Sequence, residues 1–158
     1  MQARHYINSA LVTLALATAA CGGGDDATGP SPSTPSPSTK VDASYGLIEV
    51  RAVGKLGGGG KGLPVTFVDG GGDHLTVSSG TLVLGAGGKF DLKVQTTFNG
   101  SASTLTDHGS YSIAGSTISF SSAKASPRIS PTAAMNGNKV TAKSKLYGAT
   151  FEIDLQKK

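Results

Sequence analysis

Apolar and polar side chains alternate along most of the chain from Tyr45 onward. The clearest run is 89–98, where one face of the predicted strand carries Phe90, Leu92, Val94, Thr96 and Phe98. Successive side chains of a strand point to opposite faces, so this run predicts a strand with one face toward a core and the other toward water. No stretch after Tyr45 repeats apolar residues at helical spacing, and the pattern therefore predicts an all-β fold.

Glycine, asparagine and proline interrupt this alternation and predict the turns between strands. Tight hairpins are expected at 85–88, at Gly115-Ser116 and at 136–138. The segments between the interruptions predict short strands at 45–53, 65–68, 75–77, 81–84, 89–98, 111–113, 118–120, 132–135, 139–145 and 149–155. Sequential strands of this kind usually pair with their neighbours, which gives an antiparallel up-and-down meander of eight to ten strands.

The edges of this meander decide between two architectures. A flat sheet of that size exposes two edges, and closing it into a barrel removes both of them. The expected fold is therefore a closed β-barrel. A two-sheet β-sandwich accounts for the same periodicity and stays open as the alternative.

Three groups of motifs lie along the predicted strands. They are Leu63-Pro64, the run Gly80-Thr81-Leu82-x-Leu84 with the following Lys89-Phe90, and the run 109–120 (GSYSIAGSTISF) with the later Gly137-Asn138. Over most of residues 45–158 these motifs make the chain resemble the small lipocalin-like β-barrel lipoproteins of bacteria. The resemblance implies an up-and-down, lipocalin-like barrel that a lipid attaches to a membrane.

Six aromatic side chains are predicted to point into this barrel: Phe67, Phe90, Phe98, Tyr111, Phe120 and Phe151. A barrel of about eight strands either fills its interior with side chains or leaves room for one small ligand. The leading hypothesis is a non-catalytic barrel that binds a small apolar molecule through these aromatic residues. The alternative is an envelope protein with a packed interior and no ligand, which acts through protein or polysaccharide contacts on its outer face.

The N-terminal residues 1–20 have the pattern of a signal peptide. The uncharged run 10–20 is too short to span a bilayer as a stable helix, and it ends directly before Cys21, the single cysteine of the chain. Ala19-Ala20-Cys21 resembles the lipobox of bacterial lipoproteins, which implies cleavage before Cys21 and lipidation of that residue. Ordinary secretion, with cleavage after Ala17 or Ala19, is the alternative.

The resemblance to lipoproteins also implies a membrane. In many of them an Asp directly after the lipidated Cys retains the protein in the inner membrane, and here that position is Gly22. A lipid anchor in the outer membrane is therefore expected, at its periplasmic face or at the cell surface.

The segment after Cys21 predicts a tether. Up to Thr39 it consists of glycine, proline, serine, threonine and a few other small or acidic residues, without a large apolar side chain. Such a segment cannot bury enough surface to offset the entropy of ordering it, so disorder is expected. The predicted organisation is a signal peptide over 1–20, the lipidated Cys21 and its tether over 21–40, and one barrel domain over 41–158.

Neither composition nor motifs point to catalysis. No serine lies in a Gly-x-Ser-x-Gly motif, and no pair of carboxylates stands out against an apolar background. The glycine-rich segment 54–64 lacks the spacing and the following helix of a phosphate-binding loop, and it predicts a mobile loop at the barrel mouth. We predict no enzyme activity, no cofactor and no nucleic-acid partner.

Two Asp-His pairs, Asp73-His74 and Asp107-His108, are the candidates for a metal site. Neighbouring residues of a strand point to opposite faces, so a pair rarely offers both side chains to one ion, and solvated turn residues are expected instead. We predict no metal site.

A lysine stripe is the main feature of the chain's positive charge. Lys139, Lys143 and Lys145 share one predicted strand face, in a chain of net charge +4. The stripe predicts either contact with anionic lipid or cell-wall polymer, or protection of an edge strand against aggregation.

Overall fold

The computed structural model describes residues 39–54, 56–58, 60–126 and 128–158. The predictions for the signal peptide, for Cys21 and for the tether up to residue 38 lie outside these residues. The described part is all-β, as predicted, and contains eleven strands. They are β1 (Ala43–Ala52), β2 (Gly57–Gly58), β3 (Gly60–Lys61), β4 (Val65–Val68), β5 (His74–Gly85), β6 (Lys89–Phe98), β7 (Ser101–Ala114), β8 (Thr117–Ser122), β9 (Ile129–Asn136), β10 (Lys139–Leu146) and β11 (Ala149–Lys157).

Eight of the described strands close into an antiparallel barrel. Strands β5 to β11 pair in chain order, and β1 joins the two ends because it pairs with β11 on one side and with β5 on the other. This closure confirms the predicted up-and-down barrel over the alternative sandwich. No edge is left between the first and last strands of the meander, which is the physical advantage that favoured a barrel.

The barrel opens locally between β1 and β5. These strands pair directly only from the Ala43 and Leu84 rung to the Gly46 and Thr81 rung. Beyond it they separate, and β4 pairs with β5, β2 with β4, and β3 with β1. The prediction that 54–64 forms a loop is therefore wrong in part, because two short stretches of that segment are paired backbone.

Two β-bulges accompany this separation. In β5 the register shifts between Val77 and Ser79, so inward positions change from Leu75 and Val77 to Leu82 and Leu84. The two strands predicted at 75–77 and 81–84 are therefore one continuous strand, since a bulge inserts one residue and reverses the phase of the alternation. In β1 the corresponding shift leaves Ile48 42% exposed.

The core fills the barrel interior with side chains from the barrel strands and from β4. Gly109 on β7 marks a close approach there, because a Cβ atom would collide with the backbone oxygen of Ser121. The two barrel ends differ. At the closed end lie the tight turns after β5, β7 and β9, and Thr39 pairs with Ile113 where the chain joins the barrel. The opposite end, called the mouth below, carries the turns after β4, β6 and β10.

Candidate functional site at the barrel mouth

A small cavity lies at the mouth. Its volume is about 60 Å³. It is lined by Leu56, Phe67, Asp69, Asp73, Leu75, Phe98, Leu146, Tyr147, Ala149 and Phe151. A water molecule takes about 30 Å³ of liquid, and a cavity of about 150 Å³ is known to accept benzene. The cavity as it stands is too small for a benzene-sized molecule, so a ligand of that size needs one wall to move.

Tyr147 is the most exposed apolar residue in the wall of this cavity. It occupies the two-residue turn between β10 and β11, with a φ of 48°, next to Gly148 at 82°. A left-handed φ is unusual for a bulky residue, although this hairpin type requires it at both positions. The ring is 42% exposed and stacks on Phe98, with centroids 4.8 Å apart and planes 12° apart. Its Oη lies 3.3 Å from Oγ1 of the buried Thr96.

Hydrogen bonds fix two other turns at the rim of the mouth. The Asp69 Oδ1 accepts from the amides of Gly71 and Asp73 at 2.8 and 2.9 Å, which holds the turn between β4 and β5. Asn99, in the next turn, donates from Nδ2 to Asp73 at 2.7 Å and accepts from the His74 amide at 2.8 Å. These bonds join two turns into one rigid rim, so movement of Tyr147 is the simplest way to open the cavity.

The six aromatic residues predicted as a ligand site do not form one group. Phe67, Phe98 and Phe151 line the mouth cavity, where the Phe67 and Phe151 rings meet edge to face at 4.8 Å. The other three lie toward the closed end: Phe90 and Phe120 pack edge to face at 4.9 Å, and Tyr111 is buried nearby. Of the six, the first three line the mouth cavity, together with Tyr147.

Tyr111 closes the end opposite the mouth. Its hydroxyl accepts a hydrogen bond from the Val41 amide at 2.9 Å, and the carbonyl oxygens of Val41 and Gly85 lie within hydrogen-bond distance as acceptors. These contacts bind the incoming chain across the barrel. Burial and the neighbouring Tyr111 raise the pKa of Tyr45, which packs in the same region.

We expect Tyr111→Phe to loosen this closed end. Loss of the hydroxyl leaves the Val41 amide without its partner, which should lower the free energy of unfolding by about 1 to 2 kcal/mol. Amide hydrogen exchange of Val41 should accelerate while that of β10 stays slow. Tyr147→Phe is the control and should change stability by less than about 0.5 kcal/mol, because Tyr147 is 42% exposed and its hydroxyl makes one long contact, 3.3 Å, to Oγ1 of Thr96.

Asp107 corrects the prediction that both Asp-His pairs are solvated turn residues. Asp73 and His74 are exposed at a turn, but Asp107 points inward from the middle of β7 and is fully buried. Its Oδ1 accepts hydrogen bonds from the Ser122 hydroxyl at 2.5 Å and from the His108 amide. Its Oδ2 accepts hydrogen bonds from the amides of Arg128 and Ile129 at 2.9 and 3.0 Å. The carboxylate thus anchors the connection between β8 and β9, and sequence periodicity had suggested no such role.

The outer wall carries a charged network around Arg51 and Asp154 that the sequence pattern did not predict. Arg51 on β1 forms ion pairs with Glu49, Glu152 and Asp154, and Asp154 also contacts Lys139 at 2.8 Å and accepts from Thr141 at 2.6 Å. Burial opposes the charged form of Asp154, but the bonds from Lys139, Thr141 and Arg51 outweigh it and lower its pKa below the usual range. The hydrogen bonds to Glu152, Glu49 and Asp154 raise the pKa of Arg51.

The lysine stripe lies beside this network. β10 pairs with β9 on one side and β11 on the other, so the interpretation of the lysines as protection of an edge strand is wrong. Lys139 is engaged with Asp154, whereas no ion pair joins Lys143 or Lys145 to a carboxylate of the described residues.

Metal sites, membrane spans and related proteins complete the description. Within the described residues, no three His, Cys, Asp or Glu side chains cluster so that they could hold a metal ion. In the same part of the chain, no helix is long and apolar enough to cross a membrane. No protein-family model, no curated protein and no solved structure matches this chain.

Proposed function

We propose that this chain is a lipid-anchored protein of the cell envelope whose non-catalytic barrel binds one small apolar ligand, or the apolar end of a larger one, at the mouth. The observation that carries the proposal is the apolar cavity under Tyr147, with Phe67, Phe98 and Phe151 in its walls. Concave apolar sites with a few polar groups at the rim are the usual form of small-molecule sites. Here Asp69 and Asp73 supply the polar rim.

The position of the mouth agrees with a tethered carrier or sensor. The segment that contains Cys21 joins the barrel at the closed end, through Thr39 and its pairing with Ile113. A lipid on Cys21, with anchoring in the outer membrane, is part of the proposal and rests on the resemblance of 19–21 to a lipobox. The mouth then lies at the end of the barrel farthest from the point where the tether joins.

A packed envelope protein is the second candidate function. The observation that favours it is the filled interior, where residues such as Leu82, Leu92, Phe151 and Leu155 are at most 1% exposed. Such a barrel acts through protein or polysaccharide contacts on its outer wall. A shallow groove there, of about 460 Å³, is lined by small and polar side chains from β8 to β11, which suits contact with a polar partner better than capture of an apolar molecule.

Native mass spectrometry of the full-length protein, gently extracted from its own membranes, separates these candidates. The expected result is a covalent lipid on Cys21 together with a noncovalent adduct whose mass identifies the ligand class. If the lipidated protein carries no adduct and binds none of a panel of small apolar molecules, the ligand-binding proposal is wrong and the packed envelope protein is the remaining candidate. An unmodified Cys21 thiol would contradict the anchor.

The cover formed by Tyr147 gives a kinetic prediction. Tyr147→Asn removes the ring but keeps a residue that tolerates the left-handed turn conformation. The lost aromatic stack is worth about 1 kcal/mol, so an apolar probe such as indole should reach the cavity about fivefold faster. Exchange broadening of the Phe98 and Phe151 ring signals during an indole titration measures this rate.

Two comparisons make that result specific. Tyr147→Phe keeps the ring and should leave the rate of access near that of the unchanged protein. If both variants and the unchanged protein exchange indole at one rate, Tyr147 does not control the cavity. If none of them binds indole or another small apolar probe, the mouth is not a ligand site.

A further inference from the structure

Arg128, just before β9, carries a buried polar atom without a partner. Of the buried side-chain nitrogen and oxygen atoms in the described part of the chain, only Arg128 Nε and Ser144 Oγ lack a hydrogen bond. Nor does any described carboxylate form an ion pair with Arg128. Buried polar atoms are nearly always satisfied in native proteins, and this Nε, on a side chain that is itself half-buried, is not. This arrangement therefore calls for a partner from outside the described chain.

The surroundings of Arg128 indicate what that partner is. A surface cavity of about 270 Å³ lies against it. The cavity is lined by Ala125, Ser126, Arg128, Ile129, Ser130, Pro131 and Lys145. It therefore brings together a guanidinium, an ammonium and two hydroxyl groups, and its lining contains no carboxylate. Such a donor set suits an oxyanion, since a guanidinium offers a planar fork of N–H groups and an ammonium adds a point charge.

We propose that this cavity, the Arg128 pocket, binds a phosphate-type oxyanion. A phosphate monoester carries a charge of about −1.5 to −2 at neutral pH and three acceptor oxygens. The two cations of the pocket match that charge, and the Arg128 fork and the two serine hydroxyls match the acceptors. Free phosphate and the phosphate of a lipid headgroup share this chemistry, so the source is a question for the test.

The backbone around the pocket is held in place before any ligand binds. Asp107 accepts the amides of Arg128 and Ile129 at 2.9 and 3.0 Å. On the other side, the Lys145 amide donates to the Arg128 carbonyl oxygen at 2.6 Å. Lys124 fixes the preceding connection, because its Nζ donates to the Thr106 carbonyl oxygen at 2.6 Å. The two cationic residues of the pocket are thus joined directly through their backbones, which is the preorganisation that anion binding favours.

The Asp107 carboxylate contacts this segment but does not line the pocket. Both of its oxygens accept hydrogen bonds, from backbone amides and from the Ser122 hydroxyl. It points into the barrel, whereas Lys145 is exposed on the outer wall. The carboxylate therefore orders the Arg128 backbone and leaves the guanidinium without an anionic partner.

The test is a titration of the full-length protein in detergent, at constant ionic strength maintained with chloride. Two probes are used: inorganic phosphate, and glycerophosphoglycerol, which is a phospholipid headgroup without acyl chains. The expected result is a saturable shift of the backbone amide signals of Ser126, Arg128, Ile129 and Ser130 with at least one probe. Saturation by phosphate alone identifies a free phosphate or monoester, and saturation by the headgroup identifies a lipid source.

Charge variants decide whether the pocket is responsible. Arg128→Gln should weaken binding by at least about tenfold, and Lys145→Gln should weaken it less. Lys93→Gln is the matched control and should leave binding unchanged, because Lys93 is an exposed lysine on β6 whose ion pair with Asp91 spans 3.7 Å. Arg128→Lys keeps the charge without the fork and should bind with intermediate strength, which also guards against a variant that fails to fold.

Three outcomes would overturn the proposal. The first is that neither probe gives a saturable shift in this segment. The second is that Arg128→Gln, with a native amide spectrum, binds as tightly as the unchanged protein. The third is that Arg128→Gln and Lys93→Gln weaken binding equally, which would show a general response of a positively charged surface rather than a site.

Discussion

Asp107→Ala is expected to lower the free energy of unfolding by about 3 to 5 kcal/mol, the largest effect of any substitution considered for this protein. The carboxylate is fully buried and accepts four hydrogen bonds, from the amides of His108, Arg128 and Ile129 and from the Ser122 hydroxyl. Its removal leaves several donors unsatisfied in the interior, each at a cost of about 1 to 3 kcal/mol before relaxation and water recover a part. The total free energy of unfolding of a small domain is only about 5 to 15 kcal/mol.

Thermal and urea denaturation measure this effect. A fall in Tm of roughly 10 to 20 °C is expected for a domain of this size. Asp107→Asn retains one acceptor oxygen and should lose less, about 2 kcal/mol. Asp91→Ala is the matched control on the neighbouring strand, where the Asp91 side chain is 48% exposed and should matter by less than about 0.5 kcal/mol. Equal losses for Asp107→Ala and Asp91→Ala would contradict the anchoring role.

Asp154→Asn should destabilise the barrel by about 2 kcal/mol at neutral pH, and the loss should disappear in acid. The carboxylate is 1% exposed and binds Arg51, Lys139 and Thr141. A buried pair that loses one partner costs more than this, but Arg51 and Lys139 are 39% and 44% exposed, so water solvates them after the change.

The sign of the pH dependence follows from the pKa of Asp154, which is lowered in the folded protein. An unfolded aspartate has a pKa of about 3.9. The contribution of Asp154 to the free energy of unfolding is therefore fully present above that pH. It is lost as the pH falls through the lower pKa of the folded protein. Urea denaturation from about pH 7 to about pH 2 should show the stabilities of the unchanged protein and Asp154→Asn converging at the acid end.

Glu152→Gln is the control for this experiment. Glu152 binds the same Arg51 from the same strand, but its side chain is 36% exposed. An exposed pair contributes at most about 1 kcal/mol, so its difference from the unchanged protein should be small at every pH. If the difference in stability between the unchanged protein and Asp154→Asn stays constant down to about pH 2, the charge of Asp154 does not stabilise the fold.

The strands show how far a periodic pattern predicts structure. The run 89–98 is β6 at the predicted bounds, because a half-buried strand requires strict alternation. In β5 the alternation changes phase at Ser78, and a change of phase looks like the end of a strand until the partner strand shows the bulge. The turn Asn99-Gly100 carried a clear signal, since Asn-Gly between alternating runs is typical of a hairpin, and it was overlooked.

The candidate site was predicted only in part. Alternation correctly assigned inward positions to Phe67, Phe90, Tyr111, Phe120 and Phe151, since the structure buries all five. It could not separate those at the mouth from those at the closed end, because that depends on the register between strands distant in sequence. It also missed Tyr147, which belongs to a turn and reaches the cavity only because the hairpin folds back over the interior.

By itself the sequence determined the all-β class, the antiparallel meander and most inward positions, because each of these follows from side-chain alternation and turn residues over a few neighbouring positions. Tertiary structure alone decided the pairing of β1 with β5, the burial of Asp107 and Asp154, and the position of Arg128 beside Lys145. The reason is physical: burial of a polar group depends on donors that other strands bring to it, and no local pattern encodes which strands those are.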